Sequence, residues 1–248
     1  ATTGIIGLAE SITSIGGFVG GSGDASANRR SSMSYQLIYG DCLEVMPTLE
    51  SGSVDMILCD LPYGTTSCHW DSVIPFEPLW AQYKRIIKPR GAIVLFGSQP
   101  FTSALVMSNI EWFKYCWVWD KQGTANFAIA KYQPLRASED IAVFSNGSAI
   151  YYPQMRKGLM RIKGGGGKCE INGMAPSHSI NDEYYPTNVI RISNANFQDR
   201  GYHPTQKPVN LLAYLIRTYT NEGETVLDNT MGSGSTIVAA IQEGRNAI

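Results

Sequence analysis

The chain has 248 residues, 44% of them hydrophobic, enough for a full core in one compact domain or in a domain plus a smaller lobe. Charged residues make up only 17% and the formal net charge is −1, which argues against a protein that holds nucleic acid by bulk electrostatics and leaves a local basic patch as the alternative. The five cysteines are odd in number and carry no zinc spacing, so they read as free thiols in a reducing, cytoplasmic compartment, and no apolar run is long enough for a transmembrane helix.

Residues 1–34 are rich in Gly and Ser without a sustained period, and read as a flexible leader or non-native extension. From Tyr35 the pattern becomes regular. Residues 35–39 predict a short strand and 42–49 a helix-like stretch, followed by a strand over 54–59 apolar enough to be buried on both faces. That strand stops at Asp60, and Pro62 prevents further ladder pairing. A helix carrying Leu79, Tyr83, Ile86 and Ile87 ends at Lys88-Pro89-Arg90-Gly91. Strands are expected at 92–96, 112–119 and 141–144, then a helix over 211–219 and a strand over 225–227. Strands alternating with helices at this spacing predict an α/β fold with a mostly parallel sheet and helices on both faces. Between about 146 and 200 the rhythm lapses and no strand or helix is expected. Five basic and no acidic side chains fall within 156–168 (Arg156, Lys157, Arg161, Lys163, Lys168), which marks this segment as a candidate DNA contact beside the plainer reading of a solvated loop. The division is therefore 35–145 as core, 146–200 as an irregular insertion and 201–248 as the rest of the core.

Three short segments carry chemistry. Asp60-Leu61-Pro62-Tyr63 lies at a strand's carboxyl end, where ligands collect in open parallel sheets. The Asp60 carboxylate and the Leu61 carbonyl offer two acceptors for an amino group, Pro62 fixes the turn, and Tyr63 offers a flat face. An exocyclic amine on an aromatic ring is a weak nucleophile, and two acceptors placed around it bias its lone pair toward an electrophile. A strand-ending turn with an aspartate cap fits this segment as well. The second segment, 226–236, is a strand, a turn and a helix start, in which Gly232 and Gly234 allow close approach of a ligand. It has neither GxGxxG spacing nor the lysine of a phosphate loop. A tight packing turn is its plainer reading. The third, His203-Pro204-Thr205-Gln206-Lys207-Pro208, places a hydroxyl and a cation on a stiff backbone, suited to the carboxylate of an amino-acid ligand. No metal site is expected.

Together these segments resemble the amino-group DNA methyltransferases of the adenine-N6/cytosine-N4 type, in the permuted arrangement where the base-binding tetrapeptide precedes the cofactor glycine loop. The family's Asp-Pro-Pro-Tyr corresponds to Asp60-Leu61-Pro62-Tyr63, its Asp-Pro-Phe-x-Gly-Ser-Gly-Thr-Thr to 228–236, and His-Pro-Thr-Gln-Lys-Pro is matched unchanged at 203–208. The resemblance implies a Rossmann-like fold, S-adenosyl-L-methionine as cofactor and double-stranded DNA as partner. It implies Asp60, Leu61, Pro62 and Tyr63 as the catalytic set, and Asp41, Asp228, Gly232, Gly234, Ser235, Thr236, Thr205 and Lys207 as the cofactor set. It implies target recognition for the insertion at 146–200, is compatible with a homodimer and identifies no restriction endonuclease partner. Leu61 departs from the family's proline, a change a backbone carbonyl tolerates. The family also carries an acidic residue, at the end of the strand after the glycine-loop helix, that holds the ribose hydroxyls. Here the chain reads as truncated at 245–248, partway into that strand, an expected loss of roughly 1.5–3 kcal/mol in cofactor binding. The expected activity is methyl transfer to adenine N6. Cytosine N4, or a catalytically impaired DNA-binding remnant, are the alternatives. Trp119 and the turn at Ser98 and Gln99 are minor candidates for the pocket rim, and Ser138-Glu139-Asp140 reads as a loop.

Overall fold

A computed structural model describes residues 34–64, 71–163, 179–194 and 206–248, with backbone alone for 161–163 and 179–180. The expectations on the leader, on Thr205 with its neighbours His203 and Pro204, and on Lys168 lie outside the described residues. In chain order the elements are α1 (Cys42–Val45), β1 (Val54–Cys59), α2 (Phe76–Ile86), β2 (Ile87–Gly97), α3 (Phe101–Ser108), β3 (Phe113–Ala125), β4 (Arg136–Phe144), β5 (Arg156–Lys163), β6 (Ser179–Tyr184), β7 (Val189–Arg191), α4 (Val209–Tyr219), β8 (Thr225–Leu227), α5 (Ser235–Gln242) and β9 (Asn246–Ala247).

Seven strands form one sheet in the order β7-β3-β4-β2-β1-β8-β9. β1 pairs in parallel with β2 and β8, β8 with β9, and β3 with β7, while β4 runs antiparallel to both of its neighbours. The period-2 alternation of the central strands sorts their side chains into two layers. Met56, Leu58, Val94 and Phe96 pack beneath α4 and α5, while Ile57, Cys59, Ile93 and Leu95 pack beneath α2 and α3. Both faces are thus covered, as the continuous apolar runs required. The helices present matching stripes: Leu79, Trp80, Tyr83 and Ile86 of α2, and Leu211, Leu212, Leu215, Ile216 and Tyr219 of α4, are all buried.

Several stretches differ from expectation, among them the helix α3 and the residues Ser138-Glu139-Asp140, which read as a loop and lie in β4. β2 begins at Ile87 rather than Ala92, and a bulge at its start absorbs Lys88-Pro89-Arg90-Gly91. The segment 35–39 contributes only a bridge between Tyr35 and Ala247. The region 146–200, expected to lack regular structure, contains a two-stranded antiparallel ribbon of β5 and β6, and β7 joins the main sheet at its edge. The described β6 side chains are mostly exposed, so the ribbon shows no burial alternation in sequence.

Candidate functional site

One edge of the sheet gathers the carboxyl ends of β1, β2, β3 and β8. Because β4 alone is reversed, its amino end reaches the same edge. Asp60 follows the last residue of β1 and Asp228 the last residue of β8, on adjacent parallel strands. The two turns are tied together by the Thr230 hydroxyl, which donates to the Asp60 carbonyl at 3.1 Å. The tetrapeptide and the glycine turn, 168 positions apart in the chain by their aspartates (228 − 60), thus form one surface.

Both oxygens of the Asp60 carboxylate are engaged. Oδ1 accepts from the Tyr63 hydroxyl at 2.7 Å, and Oδ2 from Lys207 Nζ at 2.6 Å. The Tyr63 ring stacks on Phe101, centroids 5.0 Å apart, so the ring expected to offer a flat face is packed against the start of α3. Burial, with Asp60 and Glu139 nearby, holds the Tyr63 phenol well above its usual range, which keeps it a donor. Leu61, the departure from the family's proline, buries its side chain in the α2–α3 layer.

Lys207, expected to meet a ligand carboxylate, is engaged here by two protein carboxylates. Its ammonium bridges Asp60 and Glu139, 3.3 Å from a Glu139 oxygen, and lies 5.1 Å above the Phe96 ring. Glu139 also pairs with Lys121, so Lys121, Glu139, Lys207 and Asp60 form an alternating chain of charges. Burial alone would lower the Lys207 pKa, yet Asp60 and Glu139 outweigh it and raise it. Burial likewise pushes Glu139 up, but Lys207 and Lys121 prevail and bring it below its ordinary 4.5. Each of these charges has an oppositely charged neighbour, although Glu139 Oε2 accepts no hydrogen bond. Glu139 and Lys121 were missed in sequence, where the former read as part of a loop; the only cue was an acidic pair directly preceding an apolar strand.

Opposite this clamp, β8 leads into Asp228-Asn229-Thr230. Asp228 is buried and accepts from the Thr230 backbone N–H at 3.0 Å. Burial raises its pKa to about 6, although a hydrogen bond from Thr236 opposes the shift. Asn229 Oδ1 accepts from Tyr83 at 2.6 Å and from Cys59 Sγ at 2.9 Å, while its Nδ2 is a buried donor with no acceptor. Gly232 and Gly234 both adopt positive φ, and a Cβ built on Gly234 would meet nothing within 4 Å. Ser235 and Thr236, at the start of α5, are buried. Asp41 caps α1, accepting from Leu43 N–H at 2.8 Å, and the neighbouring Cys42 thiol lies near enough to feel the Asn229 amide, which brings α1 to this turn. An open glycine turn, an orphaned donor and a buried acid fit a ligand that bears both an amino acid and a nucleoside.

Other candidates are placed differently. Trp119 is 1% exposed and donates its indole N–H to the Ile192 carbonyl, so it is core. Arg156 and Lys157 are exposed on β5, with Lys157 opposite Glu183 of β6. Arg161 and Lys163 lie on the same strand.

Residues 54–248 match the family described as DNA methylase, of the N6/N4 type. The type II methyltransferase M.HpaI of Haemophilus parainfluenzae is 26% identical over 227 residues, 82% of this chain and 65% of that protein. The DNA adenine methyltransferase YhdJ of Escherichia coli (strain K12) is 27% identical over 234 residues, 86% of this chain and 76% of that protein. Among solved structures, an M1.HpyAVI–SAM complex superposes with a TM-score of 0.58 at 22% identity, covering 86% of this chain and 92% of that one. The cytosine-N4-specific PvuII DNA methyltransferase gives 0.59 at 17% identity, covering 87% and 80%. These superpositions bear on the fold. The family match spans most of the sheet, from the first residue of β1 through both motif turns: the chain belongs to the N6/N4 DNA methylase family.

Proposed function

We propose that the protein transfers a methyl group from S-adenosyl-L-methionine to an exocyclic amino nitrogen of a DNA base flipped out of the duplex, with adenine N6 the preferred acceptor. The observation that carries this reading is the direct hydrogen bond joining the Asp60 turn to the Asp228–Thr230 turn, which sets an amine clamp beside a ligand cradle. Asp228, Gly232, Gly234, Ser235, Thr236 and Asp41 would hold the cofactor, whose sulfonium supplies an activated methyl group. Asp60 and the Leu61 carbonyl accept from the amino group and turn its lone pair toward that methyl carbon. Lys207 and the Tyr63 hydroxyl fix the Asp60 carboxylate from its other sides, so Asp60 serves as an acceptor and the proton of the alkylated amine leaves to water. The aspartate at the first position of the tetrapeptide, and the adenine specificity of YhdJ, support adenine over cytosine. The bacterial relatives support a prokaryotic cytoplasmic setting, and no helix among the described residues is long and apolar enough to cross a membrane.

Asp60→Ala is expected to lower turnover by about 10²–10³ or more while leaving cofactor affinity intact. Calorimetric titration of cofactor beside mass spectrometry of nucleosides from methylated plasmid tests both halves. N6-methyl-2′-deoxyadenosine from wild type supports the reading, N4-methyl-2′-deoxycytidine reassigns the base, and turnover retained by the variant removes Asp60 from the mechanism.

A further inference from the structure

The hairpin joining β3 to β4 leaves the same edge of the sheet as the clamp, and its stem carries two members of the charge chain, Lys121 and Glu139. Residues 121–138 contain Lys121, Lys131 and Arg136 and no acidic side chain, in a protein whose net charge is −1. Tyr132 is 88% exposed and Phe127 69%, the former among the most exposed large apolar side chains described. They do not hang on a structureless loop. The backbone turns through a short 3₁₀ segment over Phe127–Ile129, with Tyr132 N–H bonded to the Ile129 carbonyl at 2.9 Å and the stem closed by Ala125 opposite Arg136. Exposed aromatic rings cost solvation unless a partner covers them, and rings interleaved with basic side chains match nucleic acid, whose bases offer π-faces and whose phosphates offer charge.

We infer that this hairpin is a DNA-contacting element, distinct from the β5–β6 ribbon, in which Phe127 and Tyr132 stack on bases beside the target nucleotide while Lys131 and Arg136 hold the adjoining phosphates. The inference rests on the DNA-methylation reading and names a second surface for the same substrate. A flipped base leaves neighbours whose stacking is broken, and two rings on a hairpin that leaves the clamp's edge of the sheet supply replacement faces. Their attachment to the Lys121–Glu139 stem keeps that contact in register with Asp60.

The test uses PCR-amplified bacterial genomic DNA, which carries no methylation, and two double variants, Phe127→Ala/Tyr132→Ala and Lys131→Ala/Arg136→Ala. The aromatic pair is expected to lower kcat/KM for DNA at least about fivefold with cofactor affinity unchanged and the salt dependence of DNA binding preserved. The basic pair is expected to flatten the slope of log K against log salt by about 1–2. The inference is overturned if both variants keep wild-type kcat/KM and salt slope, or if they change only the sedimentation coefficient, which would make the hairpin a contact between copies of this chain. A wild-type protein that moves no methyl group to DNA defeats the proposed function instead. The hairpin is then judged on the binding isotherms and salt slopes, which need no transfer.

Discussion

Asp228 shows how a residue proposed to serve a ligand can weaken the fold that presents it. Its pKa of about 6 against an ordinary 3.8 means the folded chain binds the proton more tightly than the unfolded chain. Stability from this group is therefore fully present below about 3.8 and declines as pH rises through about 6, a difference of roughly 2–3 kcal/mol. Asp228→Asn keeps an acceptor for the Thr230 N–H and removes the buried charge. It is expected to raise the melting temperature at pH 7–8, with the gap closing below pH 4, while weakening cofactor binding. Melting curves across that range check it, and a variant less stable than wild type at pH 8 would refute the assignment. Glu139 behaves oppositely. Its lowered pKa contributes stability above about 4.5 that is lost as pH falls through the folded value. Glu139→Gln leaves Lys121 and Lys207 sharing too little negative charge, and is expected to cost about 3 kcal/mol at pH 7 and to lower kcat with little effect on cofactor affinity. A loss of cofactor affinity alone would mean that Glu139 does not act through Lys207. Asp60, Tyr63 and Asp228 were legible in sequence because each sits in a short motif beside a strand end. Glu139 was not, because its partners Lys121 and Lys207 lie 18 and 68 positions away (139 − 121; 207 − 139), and only the fold brings them together.

At the scale of elements, what could be read depended on burial. β1, β2 and β8 are covered on both sides and announce themselves as continuous apolar runs. The described side chains of β6 lie almost wholly at the surface and follow no alternation, so the ribbon read as loop. β7 has only three residues and is defined by its register against Val118, Trp119 and Asp120, information that does not exist locally. The bulge opening β2 has a sharper sequence requirement. A Cβ on Gly91 would stand 2.8 Å from the Asp55 carbonyl and 2.7 Å from the Ile87 side chain, and the carbonyl belongs to the paired backbone of β1. Gly91→Ala is expected to destabilise by about 1–3 kcal/mol without altering cofactor affinity per folded molecule. Urea denaturation measures it, and an unshifted midpoint would show that the bulge can relax.

Over the whole molecule, the site depends on strand adjacency rather than on chain order. β1 and β8 are neighbours, and the hydrogen bond from Thr230 to Asp60 needs only that adjacency. The far edge of the sheet adds a second fact. Ser34 N–H donates to Asn246 Oδ1 at 2.9 Å, and Ala247 N–H donates to the Ser34 carbonyl at 3.1 Å, so the first described residue lies against the last strand. A short peptide joining Ile248 to Ser34 would span little distance, and the exposed turn at Gly147, φ 86°, offers a place to cut. A relinked chain beginning at Gly147 and ending at Asn146 would present the cofactor turn before the clamp. It should fold to the same spectroscopic signature and bind cofactor within a fewfold of the parent by titration. Failure of the purified relinked chain to bind would mean that synthesis order, and not adjacency, assembles the site. Success would make the order of the two turns along the gene a matter of ancestry, open to reshuffling without any change in the chemistry.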